Sequence, residues 1–225
     1  MIKVIDKINL TKDGLFVKGT KQLVHLQQGS LDGACAVYSM MMCLIMNKVI
    51  KRRDVTDLDF VHDGRVSKGK LVRLFLEHQG LLRNGYDFVS LQADLYKAFR
   101  KRVNVDCCVS KFYAETYNSI PNNNIEIKKS IIEDIIDALD NDMPVEVAFS
   151  RKRDRSGHAI VAIGYEKKRD SVSFFCLDPG FDLPKGQFWN NILQVNTDST
   201  ATFNCLNYQE ERFVTIDELL IIEPK

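Results

Sequence analysis

The chain of 225 residues, 45% hydrophobic and 27% charged, has the balance of an ordinary globular protein and the length of one domain with a sizeable core. A formal net charge of +1, from 31 basic and 30 acidic side chains, supplies no field that favours nucleic acid or an anionic membrane, so nucleic-acid binding is not expected. The longest apolar-rich stretch, Ala34 to Ile50, is short for a bilayer and carries Asn47 and Lys48, so no membrane span is expected.

The first ten residues are charged throughout and lack the apolar core of a secretory leader, which implies a cytoplasmic site of synthesis. Export as an effector without a cleavable signal is compatible with this start. Residues 1–27 hold short alternating runs such as Leu15-Phe16-Val17 and Leu23-Val24-His25-Leu26, the pattern of small strands or an extended arm. Gln28 to Gly33, with two glycines, reads as a turn. From Cys35 to about Ile50 the sequence is apolar nearly all round, as a helix through the centre of a domain requires.

Residues 53–62 read as a connection. Lys68 to Gln79 and Ser90 to Arg102 carry apolar residues at helical spacing, with basic faces that solvation explains. Pro121 to Asn124 reads as a loop, and Ser130 to Asp140 as a helix stopped by Asn141-Asp142-Met143-Pro144. The character then changes to strand-like runs at Val145 to Phe149, His158 to Ile163 and Val172 to Leu177. Helices first and strands afterwards predict an α+β fold. The expected arrangement is a helical N-terminal half packed on a C-terminal antiparallel sheet, with a central helix starting at Cys35. Within one domain over 1–225, residues 1–27 form the arm, 28–140 the mainly helical part and 141–225 the mainly β part.

Six cysteines are scattered through a chain able to build its own core, so a disulfide scaffold is not required. None stands as Cys-x-x-Cys and only four histidines occur, which argues against a structural zinc site; neither metal nor cofactor is expected. Cys35 lies where the glycine-containing loop enters the central helix, and a helix N-terminus favours a thiolate. Taken alone it reads first as a small buried hydrophobe, like Cys43. His158 follows Ser156-Gly157 at the mouth of an apolar strand. If that strand pairs with Val172 to Leu177 as a hairpin, Asp178 returns beside the imidazole and fixes its tautomer. Asp178-Pro179-Gly180 is also a plain turn signal. Gln28, or Gln27 in its place, is a candidate to join the Cys35 N–H in an oxyanion hole, and reads equally as an exposed loop glutamine.

Gln28-Gly-Ser with Gly33-Ala-Cys35-Ala-Val-Tyr-Ser39 resembles the start of the active-site helix in papain-like cysteine peptidases. Gly157-His158-Ala-Ile-Val-Ala-Ile-Gly-Tyr165 resembles their histidine strand. With Leu177-Asp178-Pro179 following, the likeness is greatest to the bacteriocin-processing (double-glycine) peptidase-like branch, a bacterial group in which the third residue is commonly the Asp of an Asp-Pro pair. The signature Cys-Gly-[Ser/Ala]-Cys-[Trp/Tyr] becomes Asp32-Gly33-Ala34-Cys35-Ala36 here, without the disulfide cysteine and the aromatic. The resemblance implies a papain-like fold and a thiol protease with a Cys35-His158-Asp178 triad acting on a peptide or protein. A glutamine deamidase or transglutaminase-like acyltransferase, or a silent binding module, is the alternative. Trp189, the single tryptophan, lies in the unassigned stretch 181–209, where it either covers the site or, the favoured reading, packs in the core.

Overall fold

The computed structural model describes residues 1–29, 33–57, 65–76, 85–108, 125–151, 157–197, 203–207 and 211–225. The turn residues Ser30 to Asp32, the loop Pro121 to Asn124 and the end of the expected 68–79 helix lie outside the described residues.

Three short strands open the chain: β1 (Ile2–Val4), β2 (Ile8–Thr11) and β3 (Gly14–Val17). The last two pair as a hairpin. Helix α1 (Cys35–Met46) is surrounded on nearly every side, with Val37, Met40, Met42, Leu44 and Ile45 all buried. Full burial of each such side chain contributes about 1.5–3 kcal/mol, which makes α1 a rigid base for its first residue. It ends at Met46 rather than Ile50. Asn47 caps it, with Nδ2 donating to the Ile222 carbonyl at 2.6 Å, and Lys48 takes a positive φ of 56°.

One helical turn, α2 (Arg53–Thr56), falls in the stretch read as a connection. Helix α3 (Ser67–Leu71) runs into a π-helical turn at Val72–Leu76. Helix α4 (Phe88–Phe99) starts and ends earlier than the expected 90–102, because Asp87 accepts the Ser90 N–H at 2.8 Å and fixes the N-terminus. Helix α5 (Ile125–Asp140) starts before the expected Ser130. The remaining strands are β4 (Val103–Cys108), β5 (Val145–Arg151), β6 (Gly157–Lys167), β7 (Ser171–Leu177), β8 (Asn191–Asn196), β9 (Phe203–Asn207) and β10 (Glu211–Pro224).

These strands correct the expected fold class. Strand exceeds helix, 38% against 29%, and the helical half packed on an open sheet is replaced by a closed six-stranded antiparallel barrel. Its order is β6-β5-β10-β9-β8-β7, with β7 pairing back to β6. The N-terminal half supplies strands too, since β1 pairs with β6 and β4 with β10. Closure satisfies the edge hydrogen bonds that an open sheet leaves exposed. It depends on β10, which serves β5 along one edge and both β9 and β4 along the other, shifting register between Ile216 and Glu218.

By register, Val147, Ile160, Ala162, Phe174 and Leu193 share one buried face, the barrel interior. Helix α1 lies against β5 and β6 from the other face, where Ser39 Oγ donates to the Ala159 carbonyl at 3.1 Å. At the barrel end remote from His158, Lys128 Nζ donates to the Asn196 carbonyl at 2.7 Å and Tyr165 Oη to Asp140 Oδ1 at 2.9 Å, anchoring α5 there. Gly164 is needed for β1 to dock: a Cβ at that position would stand 2.5 Å from the Lys3 carbonyl oxygen. No helix among the described residues is long and apolar enough to cross a membrane.

Candidate active site

The site is assembled from the first residue of α1, the start of β6 and the turn after β7. Ala34 precedes Cys35 without a side-chain cap, so the N–H groups of the first turn carry their partial positive charge toward the thiol. The backbone N–H groups of Ala36 and Ala159 point at Sγ. Burial pushes the Cys35 thiol up, but the hydrogen bond and positive charge of His158, with those two N–H groups, outweigh it and leave the pKa below its ordinary value.

His158 stands opposite Phe149 of β5, whose ring meets the imidazole edge-on at 5.6 Å. Its Nε2 donates to Asp178 Oδ1 at 2.7 Å, which leaves Nδ1 for the thiol. Burial disfavours the charged ring. The hydrogen bonds to Asp178 and then Cys35 more than compensate and raise its pKa to about 10. The β6–β7 hairpin pairs Val161 with Leu177, which delivers the next residue, Asp178, to the imidazole. Cys35, His158 and Asp178 therefore come together as one hydrogen-bonded chain.

Asp178 is 1% exposed, yet every part of its carboxylate is occupied. Oδ1 also accepts the Gly180 N–H at 2.8 Å, and Oδ2 accepts Asn191 Nδ2 at 2.7 Å. Burial raises its pKa, but His158, Gly180 and Asn191 hold it below the usual carboxylate value. Asn190 clamps the backbone here, accepting the Asp178 N–H at 2.7 Å while Nδ2 donates to the Asp178 carbonyl at 2.9 Å. His25 Nε2 donates to the same carbonyl at 3.0 Å. A side chain at Gly180 would crowd the carboxylate: its Cβ would stand 3.1 Å from Asp178 Oδ1 and in contact, at 3.5 Å, with His158 Cε1.

The Gln28 N–H donates to the Pro179 carbonyl at 2.8 Å, so the segment before α1 is tied to the turn that carries Asp178. The Gln28 side-chain oxygen is buried and has no hydrogen-bond partner among the described residues, whereas Gln27 is exposed. Trp189 is half-buried and stacks on Phe175, ring centroids 4.1 Å apart. Sequence reading missed His25, Gly180, Asn190 and Asn191. Gly180 was visible only as part of a turn signal, and the asparagines bear on Asp178 only through the return of the chain into β8.

The Peptidase_C39 like family matches residues 15–210, a span that contains Cys35, His158 and Asp178. No curated protein matches the chain. The match over most of its length means that the chain belongs to the Peptidase_C39 like family, a cysteine-peptidase family related to papain.

Proposed function

We propose that this protein is a cysteine peptidase in which Cys35 is the nucleophile, His158 the general acid and base, and Asp178 the residue that orients His158. The observation that carries the reading is the unbroken chain from the Cys35 thiol through His158 to the Asp178 carboxylate. A depressed thiol pKa beside an elevated imidazole pKa favours a thiolate–imidazolium pair at neutral pH. The thiolate attacks the scissile carbonyl, and the Cys35 N–H with the Gln28 amide receives the developing oxyanion. His158 then gives its Nδ1 proton to the leaving amine, and the amine departs. The same nitrogen takes a proton from the water that attacks the acyl-enzyme, releasing the acid and regenerating the thiolate.

The substrate is a peptide or protein. The likeness of the Cys35 and His158 segments to the bacteriocin-processing branch favours a glycine-containing cleavage segment. The whole chain acts as one domain in this reading, with no metal or cofactor in the chemistry.

Peptide digestion followed by mass spectrometry, with iodoacetamide labelling in parallel, tests the assignment. Wild-type protein yields fragments, and Cys35 is alkylated fastest of the six cysteines. Cys35→Ala abolishes cleavage; His158→Ala slows cleavage by at least roughly a hundredfold, the ordinary range of general acid–base catalysis, and slows alkylation because the thiolate fraction falls without the imidazolium. Labelling of Cys35 no faster than of Cys43 refutes the thiolate. A gain of about one dalton on a glutamine-containing substrate, without fragments, moves the activity to deamidation by the same acyl-transfer logic.

A further inference from the structure

Glu146 plays no part in the chemistry above, yet it lies beneath the nucleophile's helix. On β5 it falls between Val145 and Val147, on the face turned away from the barrel interior, and its register partners are the buried Val161 of β6 and Leu220 of β10. Helix α1 covers this face. Cys35, Ser39 and Cys43 follow one another at four-residue spacing along one stripe of the helix. Cys35 and Ser39 both bond to Ala159, two residues before Val161, so the next turn of the stripe meets Glu146. The Glu146 carboxyl is 0% exposed, and neither oxygen has a hydrogen-bond partner among the described residues.

An ionised carboxylate there would lose its hydration with nothing in exchange, so the group is held as the neutral acid. Burial, then the proximity of Cys35 and of Glu218, pushes its pKa well up. The titratable groups around it are Cys35 and Cys43 on α1 and Glu218 on β10, with Lys7 acting on Cys43 beyond. From β6 the neighbouring residues on this face, Ala159 and Val161, are apolar. Packing gives no reason for an acid here, since a buried unpaired carboxyl lowers stability and an apolar side chain of the same size would raise it.

We propose that Glu146 is a positioning residue for the Cys35 nucleophile: as a neutral acid under α1 it leaves the thiolate unopposed, and once ionised it opposes the thiolate. On ionisation Glu146 releases its proton to solvent. The negative charge then raises the proton affinity of Cys35, and Sγ takes back the His158 proton, leaving a thiol and a neutral imidazole. The inference rests on the reading of Cys35 as the nucleophile.

Profiles of kcat/KM and of Cys35 alkylation by iodoacetamide between pH 5 and 11 test it, with wild type beside Glu146→Gln. The variant is expected to stay within about threefold of wild type at pH 7 and to move the upper limb of both profiles up by about one unit or more. Coincident upper limbs overturn the proposal. Glu146→Met supplies a second readout that does not depend on the amide packing well. Above the ordinary carboxyl pKa the native state holds a proton that the unfolded state releases, so stability falls with pH until Glu146 ionises. The denaturant midpoint of Glu146→Met should therefore gain on wild type as pH rises above the ordinary carboxyl value, and a constant difference overturns the neutral acid. An alkylation profile that shifts while wild type cleaves no peptide sinks the peptidase reading and keeps this one; cleavage with coincident profiles does the reverse.

Discussion

Asp178→Asn changes one charge in the hydrogen-bonded chain while keeping its shape, so its effect isolates what the carboxylate does for His158. The Nε2 to Oδ1 bond is 2.7 Å long, and its acceptor is 1% exposed, so water does not screen it. A hydrogen bond to a charged group contributes about 1.5–3 kcal/mol, and 1.36 kcal/mol corresponds to one pKa unit. Loss of the charge should therefore bring the His158 pKa down from about 10 by roughly one to two units. Cys35 depends on the imidazolium, so its alkylation midpoint should rise by a comparable amount. Histidine proton chemical shifts followed against pH report the first change, and iodoacetamide rates the second. His158 then stays protonated at pH 7, but the raised Cys35 thiol lowers the thiolate fraction there, and kcat/KM at pH 7 should fall by up to about ten- to a hundredfold. If His158 titrates unchanged in the folded variant, the carboxylate is not what holds its charge, and the assigned role of Asp178 is wrong.

Further outcomes follow from neighbouring contacts. Asn191→Ala removes the donor to Asp178 Oδ2 and should lower unfolding stability by about 1–3 kcal/mol, measured by denaturant titration. Leu193→Ala, which empties a fully buried site in the barrel, should lose about 2–5 kcal/mol by the same assay. Gly164→Ala drives a methyl against the Lys3 carbonyl, and hydrogen exchange should show β1 losing protection while β6 and β7 keep theirs. The His158 pKa is raised on folding, so its contribution to stability is complete below about pH 6.5 and drains away as pH rises through about 10. Asp178, held low, contributes above its ordinary carboxyl pKa and loses that contribution as pH falls through its folded value. Compared with His158→Gln, wild type should lose its stability advantage across the alkaline window, and equal slopes would refute the linkage.

The parts of this molecule that were legible in its sequence depend on near neighbours. The glycine-containing turn into an apolar helix located Cys35 at the start of α1. The charged turn between two apolar runs implied the β6–β7 hairpin, and with it the approach of Asp178 to His158. What stayed hidden depends on distant pairing. Alternation marks a strand without naming its partner, so the joining of β10 to β5, β9 and β4, and hence barrel closure, had no local signal. Glu146 shows the same limit from the other side. Within Val145-Glu146-Val147 the polar residue reads as facing water, but α1 covers that face of β5.

The threading of β10 has a consequence for the order of events during folding. Val145 pairs with Ile221, and among the described residues β5 meets no other strand along that edge. The ring cannot close until residues 211–224 are in place, even though β6 and β7 already hold His158 and Asp178 side by side. Pairing across so long a stretch of chain is entropically slow, so the local hairpin forms first and the barrel afterwards. A chain stopped before residue 211 would keep Cys35, His158 and Asp178 in its sequence while lacking the strand that joins β5 to β9 and closes the barrel.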